Sequence, residues 1–244
     1  MCRHLAYLGP KISLHELLFG APHSLCGQAR APQHQTSGED NPDGWGVGWY
    51  ADDDQPHQYR TTMRIWDDVV FEKRAHVIES GAVLAAARLA SPGATIHESG
   101  NAPFRNGRWL FSLNGSVKDY HSGVSDKLHE LVSAERLAAL EGDADSEVLF
   151  ALVLDQLDAG ARPVDALATV VDDVLTITKA RLNLLLTDGH EIAATRVGNS
   201  LFVAHATIAS EPLDDEPEWR EVPDRSLVTA HAEPGHFHHT YRSL

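Results

Sequence analysis

Cysteine and long apolar runs are scarce in this 244-residue chain, and each scarcity excludes a class of protein. Its cysteines are Cys2 and Cys26, too few for the disulfide framework of a small secreted domain. No apolar run approaches the roughly 20 residues that span a bilayer, and the N-terminus lacks the basic region and apolar run of a signal peptide. We therefore expect a cytoplasmic protein with reduced thiols and no membrane partner.

Basic residues are also few. Lysine and arginine number 20 against 35 aspartates and glutamates, so the formal net charge is -15. Nucleic acids and anionic membranes attract basic patches, and none is present, so we expect no nucleic-acid partner. A small molecule is the expected ligand. Nothing in the composition predicts an oligomeric state.

The chain is long enough for one large domain. It has 43% hydrophobic residues, no low-complexity tract and no linker-like change in composition, so residues 2–244 are predicted to form a single domain.

The hydrophobic periodicity predicts strands at both ends and helices in the middle. Helices are expected over 127–140, from a cap within 143–146 to 157, and after Pro163 to 175. Strands are expected at 3–8, 43–50, 83–89, 109–113, 182–187, 192–197 and 201–206, the last three as a meander of hairpins. This order indicates an α+β fold in which two antiparallel sheets face each other and helices cover their outer faces.

Two short apolar strands each lead into a polar cluster, 88–91 and 114–116, which we expect at strand ends. In 43–50 apolar side chains alternate with glycine, so one strand face is bare. A bare face lets a ligand or another backbone approach closely.

Cys2 follows Met1 directly, and removal of that methionine would place a thiol and a free α-amine on one residue. Their ordinary pKa values lie near about 8.5 and about 8, so the amine can act as the base for the adjacent sulfur. Cys2 is the candidate nucleophile. A small second residue is also common in proteins that have no such chemistry.

Six segments together resemble the class II glutamine amidotransferases in identity and in order: Cys2 after Met1, 43–48, 88–91, 101–104, 111–115 and 145–148. The resemblance covers most of the chain. It implies an N-terminal-nucleophile hydrolase with a four-layer αββα fold that cleaves a γ-glutamyl amide, with no cofactor and no metal.

The resemblance also assigns roles to residues. Asn114 and Gly115 match the pair of donors that stabilises the oxyanion, although Asn-Gly is equally a common hairpin turn. Arg88 matches the clamp on the substrate α-carboxylate, or else forms a buried structural ion pair. Asp145 matches the residue that holds the α-ammonium, or else caps a helix, as Asp143 and Ser146 could. His97 lies too far from the arginine cluster to match a histidine of some members.

Within that family, residues 1–10 look most like stand-alone hydrolases of ergothioneine biosynthesis, which remove glutamate from γ-glutamyl-hercynylcysteine sulfoxide. We expect no synthase domain to follow. A small-molecule γ-glutamyl conjugate is therefore the expected partner, and a glutaminase subunit that delivers ammonia to a separate synthase is the alternative.

A second alternative comes from the histidines. His231, His236, His238 and His239 lie near the C-terminus, where a non-catalytic metal-binding protein could use them. They lack the cysteines or the spaced histidine pair of a closed zinc site, which favours a solvated or partly packed tail.

Overall fold

The structure is a computed structural model that describes residues 2–36, 38–51, 55–91, 96–233 and 236–244. Two antiparallel sheets form its centre. The first has the strand order β11-β9-β10-β1-β4-β2-β3, and its strands are β1 (Arg3–Ser13), β2 (Trp45–Tyr50), β3 (Pro56–Thr61), β4 (Glu79–Ala87), β9 (Phe202–Ala204), β10 (Thr207–Ala209) and β11 (Arg220–Glu221).

The second sheet has the order β13-β12-β8-β7-β6-β5. Its strands are β5 (Phe104–Asn106), β6 (Trp109–Val117), β7 (Ala180–Thr187), β8 (Glu191–Arg196), β12 (Ser226–Glu233) and β13 (His236–Ser243). The helices are α1 (Leu25–Arg30), α2 (Val69–Ala75), α3 (Val124–His129), α4 (Ala134–Ala138), α5 (Asp145–Asp158) and α6 (Pro163–Ile177), with single turns at Glu16–Gly20, Ile65–Asp67, Glu98–Gly100 and Tyr120–Ser122.

Side chains along the central strands alternate between the two faces of each sheet, and this alternation produces the layers. In β1, Ala6 and Leu8 pack between the two sheets, whereas Leu5 and Tyr7 pack on the outer face. That outer face is covered by α1, α2 and the Glu16–Gly20 turn. The outer face of the second sheet is covered mainly by α5 and α6. The α+β, four-layer αββα prediction is confirmed.

Several local predictions were wrong. The helix expected over 127–140 is two helices, α3 and α4, because Ser133 starts a new helix by accepting the Arg136 N–H at 3.4 Å. The third strand of the expected meander, β9, belongs to the other sheet, so the chain crosses between sheets after Gly198, whose φ is +93°.

The C-terminus also differs from expectation, and one acidic stretch is not described by the structure. The histidine-rich C-terminus is the edge strand β13, paired with β12, rather than a tail. Residues 52–54, expected at a hairpin tip, lie outside the described residues. No helix in the described part of the chain is long and apolar enough to cross a membrane.

The bare face of the glycine-rich strand β2 is filled by protein. A Cβ at Gly46 would lie 2.6 Å from the carbonyl oxygen of Ala102, and one at Gly48 would lie 2.6 Å from a methyl carbon of Leu110. Strand β2 therefore uses its glycines to bring the second sheet and its connections close.

Candidate active site

Cys2 lies immediately before β1, which runs between β4 and β10 in the first sheet. Arg3 pairs with Ala87, so Cys2 stands opposite Arg88 at the end of β4. The Cys2 Sγ atom lies 3.9 Å from the carbonyl oxygen of Leu89, to which it donates, and Arg3 Nε donates to the Cys2 carbonyl at 2.8 Å. The half-buried thiol is thus held at a defined position beside Arg88 and Leu89.

Arg88 follows β4 and its backbone is held by the start of the glycine-rich segment. Its N–H donates to the Gly44 carbonyl at 2.8 Å, and its carbonyl accepts the Asp43 N–H at 3.0 Å. Gly44 has a φ of +113°, and a Cβ there would lie 2.2 Å from Asn101 Nδ2, so only glycine fits. The guanidinium packs over Gly100, where a Cβ would come within 2.9 Å of Nη1.

Asp145 is the first residue of α5 and does not occupy the N-cap position, which belongs to Ala144. Its carboxylate instead accepts the Val117 N–H at 2.9 Å and the Ser146 N–H at 2.8 Å. Burial raises the pKa of Asp145, while these two donors and the nearby Arg88 guanidinium oppose that rise. The helix-cap alternative for Asp145 is therefore wrong, and its carboxylate ties α5 to β6.

Gly115 lies inside β6, opposite Leu182 of β7, so the hairpin-turn alternative is wrong and so is the expectation that 114–116 follow the strand. N–H groups of alternate residues in a strand point to the same side. The Gly115 N–H therefore points to the side on which Asp145 receives the Val117 N–H. A Cβ at Gly115 would lie 1.8 Å from the Arg181 carbonyl oxygen, which excludes any side chain.

Asn114 is completely buried and is not part of the cavity wall. Its Nδ2 donates to Ser210 Oγ at 3.1 Å, and its Oδ1 accepts from Asn199 Nδ2 at 3.2 Å. Both groups that hold it come from beyond residue 198. The amide is thereby held in a fixed orientation outside the cavity wall, and Ser210 accepts one of its protons.

A cavity of about 800 Å³ brings together four of the five predicted site residues, Cys2, Arg88, Gly115 and Asp145. The rest of the polar cavity wall was not predicted from the sequence. It comes mainly from two segments, residues 119–122 just after β6 and residues 141–147 just before and at the start of α5. The polar side chains added by these segments and by residues 97–99 are His97, Ser99, Asp119, Tyr120, His121, Ser122, Glu141, Asp143, Ser146 and Glu147.

The cavity wall carries an excess of negative charge. Five carboxylates line it, those of Asp119, Glu141, Asp143, Asp145 and Glu147, and Arg88 is the one arginine or lysine among its described residues. Burial raises the pKa of Glu147, whose carboxylate also accepts the Glu141 N–H. This wall therefore favours a ligand that carries positive charge in addition to a carboxylate.

Tyr120 is a further buried polar group of this wall. Its side chain is 6% exposed, and its hydroxyl has no hydrogen-bond partner among the described residues. Burial raises the pKa of Tyr120, and the carboxylates of Asp145 and Asp143 raise it further, so the hydroxyl stays protonated and can donate. Its position after the end of β6 was the signal that sequence reasoning could have used.

No group of three or more histidine, cysteine, aspartate or glutamate side chains within the described ranges is arranged to bind a metal ion. His231 Nε2 lies 3.9 Å from Glu191 Oε2 on the second sheet. His231 lies on β12, and His238 and His239 lie on the neighbouring edge strand β13, without forming a metal site among the described residues. The cavity contains none of these residues.

Known proteins share both the sequence and the fold. Residues 13–205 match the family described as class-II glutamine amidotransferases. The chain is 37% identical over 233 residues, 93% of this chain and 95% of the relative, to the γ-glutamyl-hercynylcysteine sulfoxide hydrolase of Mycolicibacterium smegmatis. A relative of the same name from Mycobacterium tuberculosis H37Rv is 36% identical over 93% of this chain and 92% of its own length.

Among solved structures, a glutamine aminotransferase class-II domain protein from Silicibacter pomeroyi superposes with a TM-score of 0.69 at 24% identity and covers 99% of both chains. The glutamine phosphoribosylpyrophosphate amidotransferase of Bacillus subtilis superposes with a TM-score of 0.66 at 13% identity, covering 100% of this chain and 49% of its own. These structures share the fold. The sequence matches, over nearly the whole length, place this chain in the class II glutamine amidotransferase family.

Proposed function

We propose that this protein is an amidohydrolase that cleaves the γ-glutamyl amide of γ-glutamyl-hercynylcysteine sulfoxide and releases glutamate and hercynylcysteine sulfoxide. The observation that carries the proposal is the meeting of Cys2, Arg88, Gly115 and Asp145 on one cavity, in a chain 37% identical to a relative of that activity. We also propose that residues 2–244 fold as one domain, that the enzyme works in the cytoplasm, and that nucleic acid is not a partner.

The glutamyl end of the substrate matches the first part of the wall. An α-carboxylate suits the planar guanidinium of Arg88, which can pair with both oxygens. An α-ammonium suits the carboxylate of Asp145, which lies within electrostatic reach of Arg88. A group of this size held at both charges presents its γ-carbonyl carbon to the Cys2 sulfur.

The chemistry follows from a free Cys2 α-amine, which requires removal of Met1. The amine takes the thiol proton, the sulfur attacks the γ-carbonyl carbon, and the carbonyl oxygen becomes negative. The Gly115 N–H stabilises that oxygen, and the side-chain amide of the neighbouring Asn114 is the proposed second donor. The α-ammonium then protonates the departing amine, leaving a γ-glutamyl thioester, and water activated by the same amine releases glutamate.

Charge and size favour the conjugate over free glutamine. The volume of about 800 Å³ is large within the range of about 300–1,000 Å³ typical of small-molecule sites, and glutamine fills only part of it. Asp145 serves the glutamyl ammonium. The other four wall carboxylates surround the rest of the cavity, although Glu141 also lies 3.8 Å from Arg60 and Asp119 lies 3.9 Å from Lys118. The trimethylammonium of a hercynyl group supplies a positive charge that such a wall attracts.

The test compares glutamate release from the conjugate and from glutamine by purified protein, with Cys2→Ala and Cys26→Ala variants beside it. We expect faster release from the conjugate, loss in Cys2→Ala, and retention in Cys26→Ala, because Cys26 lies outside the cavity. Faster release from glutamine would support the glutaminase alternative. Release from neither substrate, together with near-stoichiometric bound metal in untagged protein, would support the metal-binding alternative.

A further inference from the structure

Ser210 and Glu211 directly follow β10. Both bond residues of β1, the strand that begins after Cys2, and Ser210 also bonds the Asn114 amide. Neither lines the cavity, and both are buried, Ser210 completely and Glu211 to all but 3% of its surface. Their contacts link the two sheets at the point where Cys2 and Gly115 meet the cavity.

Glu211 acts on the nucleophile side. Its Oε1 lies 2.5 Å from Arg3 Nη1, and the same carboxylate accepts the N–H groups of Gln33 at 2.9 Å and His34 at 3.1 Å. Arg3 is fully buried and its Nε donates to the Cys2 carbonyl. Glu211 therefore fixes the guanidinium, and the guanidinium fixes the backbone of Cys2.

A buried ion pair is a costly way to stabilise a fold, because both charges lose their hydration. Burial lowers the pKa of Arg3, and the Glu211 carboxylate opposes that change. The paired guanidinium thus stays charged and holds the Cys2 carbonyl, so the sulfur keeps one position at the cavity wall.

Ser210 acts on the oxyanion side. Its Oγ accepts the His4 N–H at 3.0 Å and one amide proton of Asn114 at 3.1 Å, while its own N–H donates to the His4 carbonyl at 2.9 Å. The Ser210 hydroxyl thereby takes the place of a backbone carbonyl as the acceptor of the His4 N–H of β1. The same hydroxyl crosses to β6 and orients the Asn114 amide.

We propose that Ser210 and Glu211 are positioning residues. Glu211 holds Cys2 in place through Arg3, and Ser210 holds the Asn114 amide in place. This inference rests on the proposed function for its catalytic readout. It assigns a role to two residues far from the motifs that identify the family in sequence.

The contacts from Glu211 through Arg3 to Cys2 form the Arg3 arm, and those from Ser210 to Asn114 form the Ser210 arm. Changes in the two arms should cause different kinetic defects. Arg3→Lys keeps a cation for Glu211 but loses the Nε donor to Cys2, so kcat and the rate of Cys2 alkylation by iodoacetamide should both fall. A displacement of about 1 Å at a reacting group costs roughly 100-fold in rate. Ser210→Ala should lower kcat roughly 10-fold or more, since removal of a whole oxyanion donor costs about 100- to 1,000-fold.

Ser210→Ala should leave Cys2 alkylation unchanged, because alkylation by iodoacetamide does not use the oxyanion donors. KM should stay within about twofold in both variants, since Arg88 and Asp145 are untouched. Ser80→Ala is the matched control: Ser80 is also a completely buried serine of the first sheet, and its Oγ bonds the carbonyls of Tyr50 and Ala82, which lie outside the cavity wall. It should retain wild-type kcat and alkylation.

Glu211→Gln leaves a buried cation without its counter-ion and can fail to fold, so Arg3→Lys carries the test of that arm. Intact mass of each variant confirms that Met1 has been removed equally. Wild-type kcat in Arg3→Lys and Ser210→Ala would overturn the proposal, as would parallel loss of kcat and of Cys2 alkylation in Ser210→Ala. Alkylation needs no substrate, so it tests the Arg3 arm even when the wild-type protein releases no glutamate and the proposed function fails.

Discussion

The carboxylate of Asp145 accepts the N–H of Val117 at 2.9 Å, two residues beyond Gly115 on the same strand. The proposed anchor of the substrate ammonium and the proposed oxyanion donor therefore share one edge of β6. A substrate held by Asp145 is thereby aligned along the edge that carries the Gly115 N–H.

Asp145→Asn removes the negative charge while keeping an acceptor oxygen, so KM for the γ-glutamyl substrate should rise roughly 10- to 100-fold, as expected for the loss of a charged hydrogen bond. Steady-state kinetics measures the change. Asp155→Asn is the control, because Asp155 lies on the same helix and bonds Ser133 instead of lining the cavity. An unchanged KM in Asp145→Asn would remove Asp145 from the binding site.

The same carboxylate predicts a pH dependence. Burial raises the pKa of Asp145 above its ordinary value, so the carboxylate is protonated at a higher pH than a solvated aspartate. Affinity for the substrate ammonium is present above that pKa and is lost as the pH falls through it. As the pH is lowered, KM should therefore rise in wild type and stay unchanged in Asp145→Asn. A parallel rise in both proteins would contradict the assignment.

Arg88→Lys keeps the charge and loses the planar pair of donors, so KM should rise roughly 10-fold while the fold is retained. The control is Arg136→Lys, because Arg136 pairs with Asp158 away from the main cavity. Equal KM values in wild type and Arg88→Lys would indicate that Arg88 has no direct contact with the substrate carboxylate.

Gly115→Ala should destabilise the fold by about 1–3 kcal/mol or more, because the added methyl group meets the Arg181 carbonyl oxygen. Urea unfolding measures the change. Gly27→Ala is the comparison, since a Cβ there would lie in ordinary contact, 3.7 Å from Ser24 Oγ, inside a helix. Gly27→Ala should be neutral or slightly stabilising. Equal stability of both variants would contradict the close approach at Gly115.

His4 is completely buried, and its Nδ1 lies 2.7 Å from Ser112 Oγ. Burial and, as a smaller cause, the nearby Arg3 charge together lower its pKa to about 3. Because the folded pKa lies below the unfolded value, this contribution to stability is complete above the unfolded pKa and is lost as pH falls toward 3. The free energy of unfolding should fall by about 2 kcal/mol between pH 7 and pH 5 from this group.

His4→Asn keeps a polar atom near Nδ1 and cannot titrate, so its stability should fall less over the same pH range. His57→Asn, a change at an exposed histidine, should behave as wild type. The measurement is chemical denaturation at each pH. Identical losses in His4→Asn and wild type would show that another group causes the acid destabilisation.

The layered fold and the four predicted site residues that line the cavity could be predicted because their signals are local or lie in an ordered motif set. Strand alternation in β1 and the glycine pattern of β2 are visible in short windows. Cys2, Arg88 and Asp145 each stand next to the start or end of an element, where a motif and a boundary coincide.

The parts of the fold and of the site that were not predicted depend on strand register and on contacts between segments distant in sequence. Strand β6 continues through Asn114 because β7 pairs with it as far as Val117, and no property of residues 114–116 reveals that partner. The crossing of the chain between sheets after Gly198 brings Ser210 to Asn114 across 96 positions. Local periodicity contains no information on such contacts.

Cys2, once Met1 is removed, is proposed to form a covalent γ-glutamyl thioester, and intact-protein mass spectrometry of the enzyme quenched during turnover detects that intermediate. We expect protein that begins at Cys2 and carries one added glutamyl group, present in Cys26→Ala and absent in Cys2→Ala. Full activity in protein that retains Met1, or glutamate release by Cys2→Ala at the wild-type rate, would rule this mechanism out.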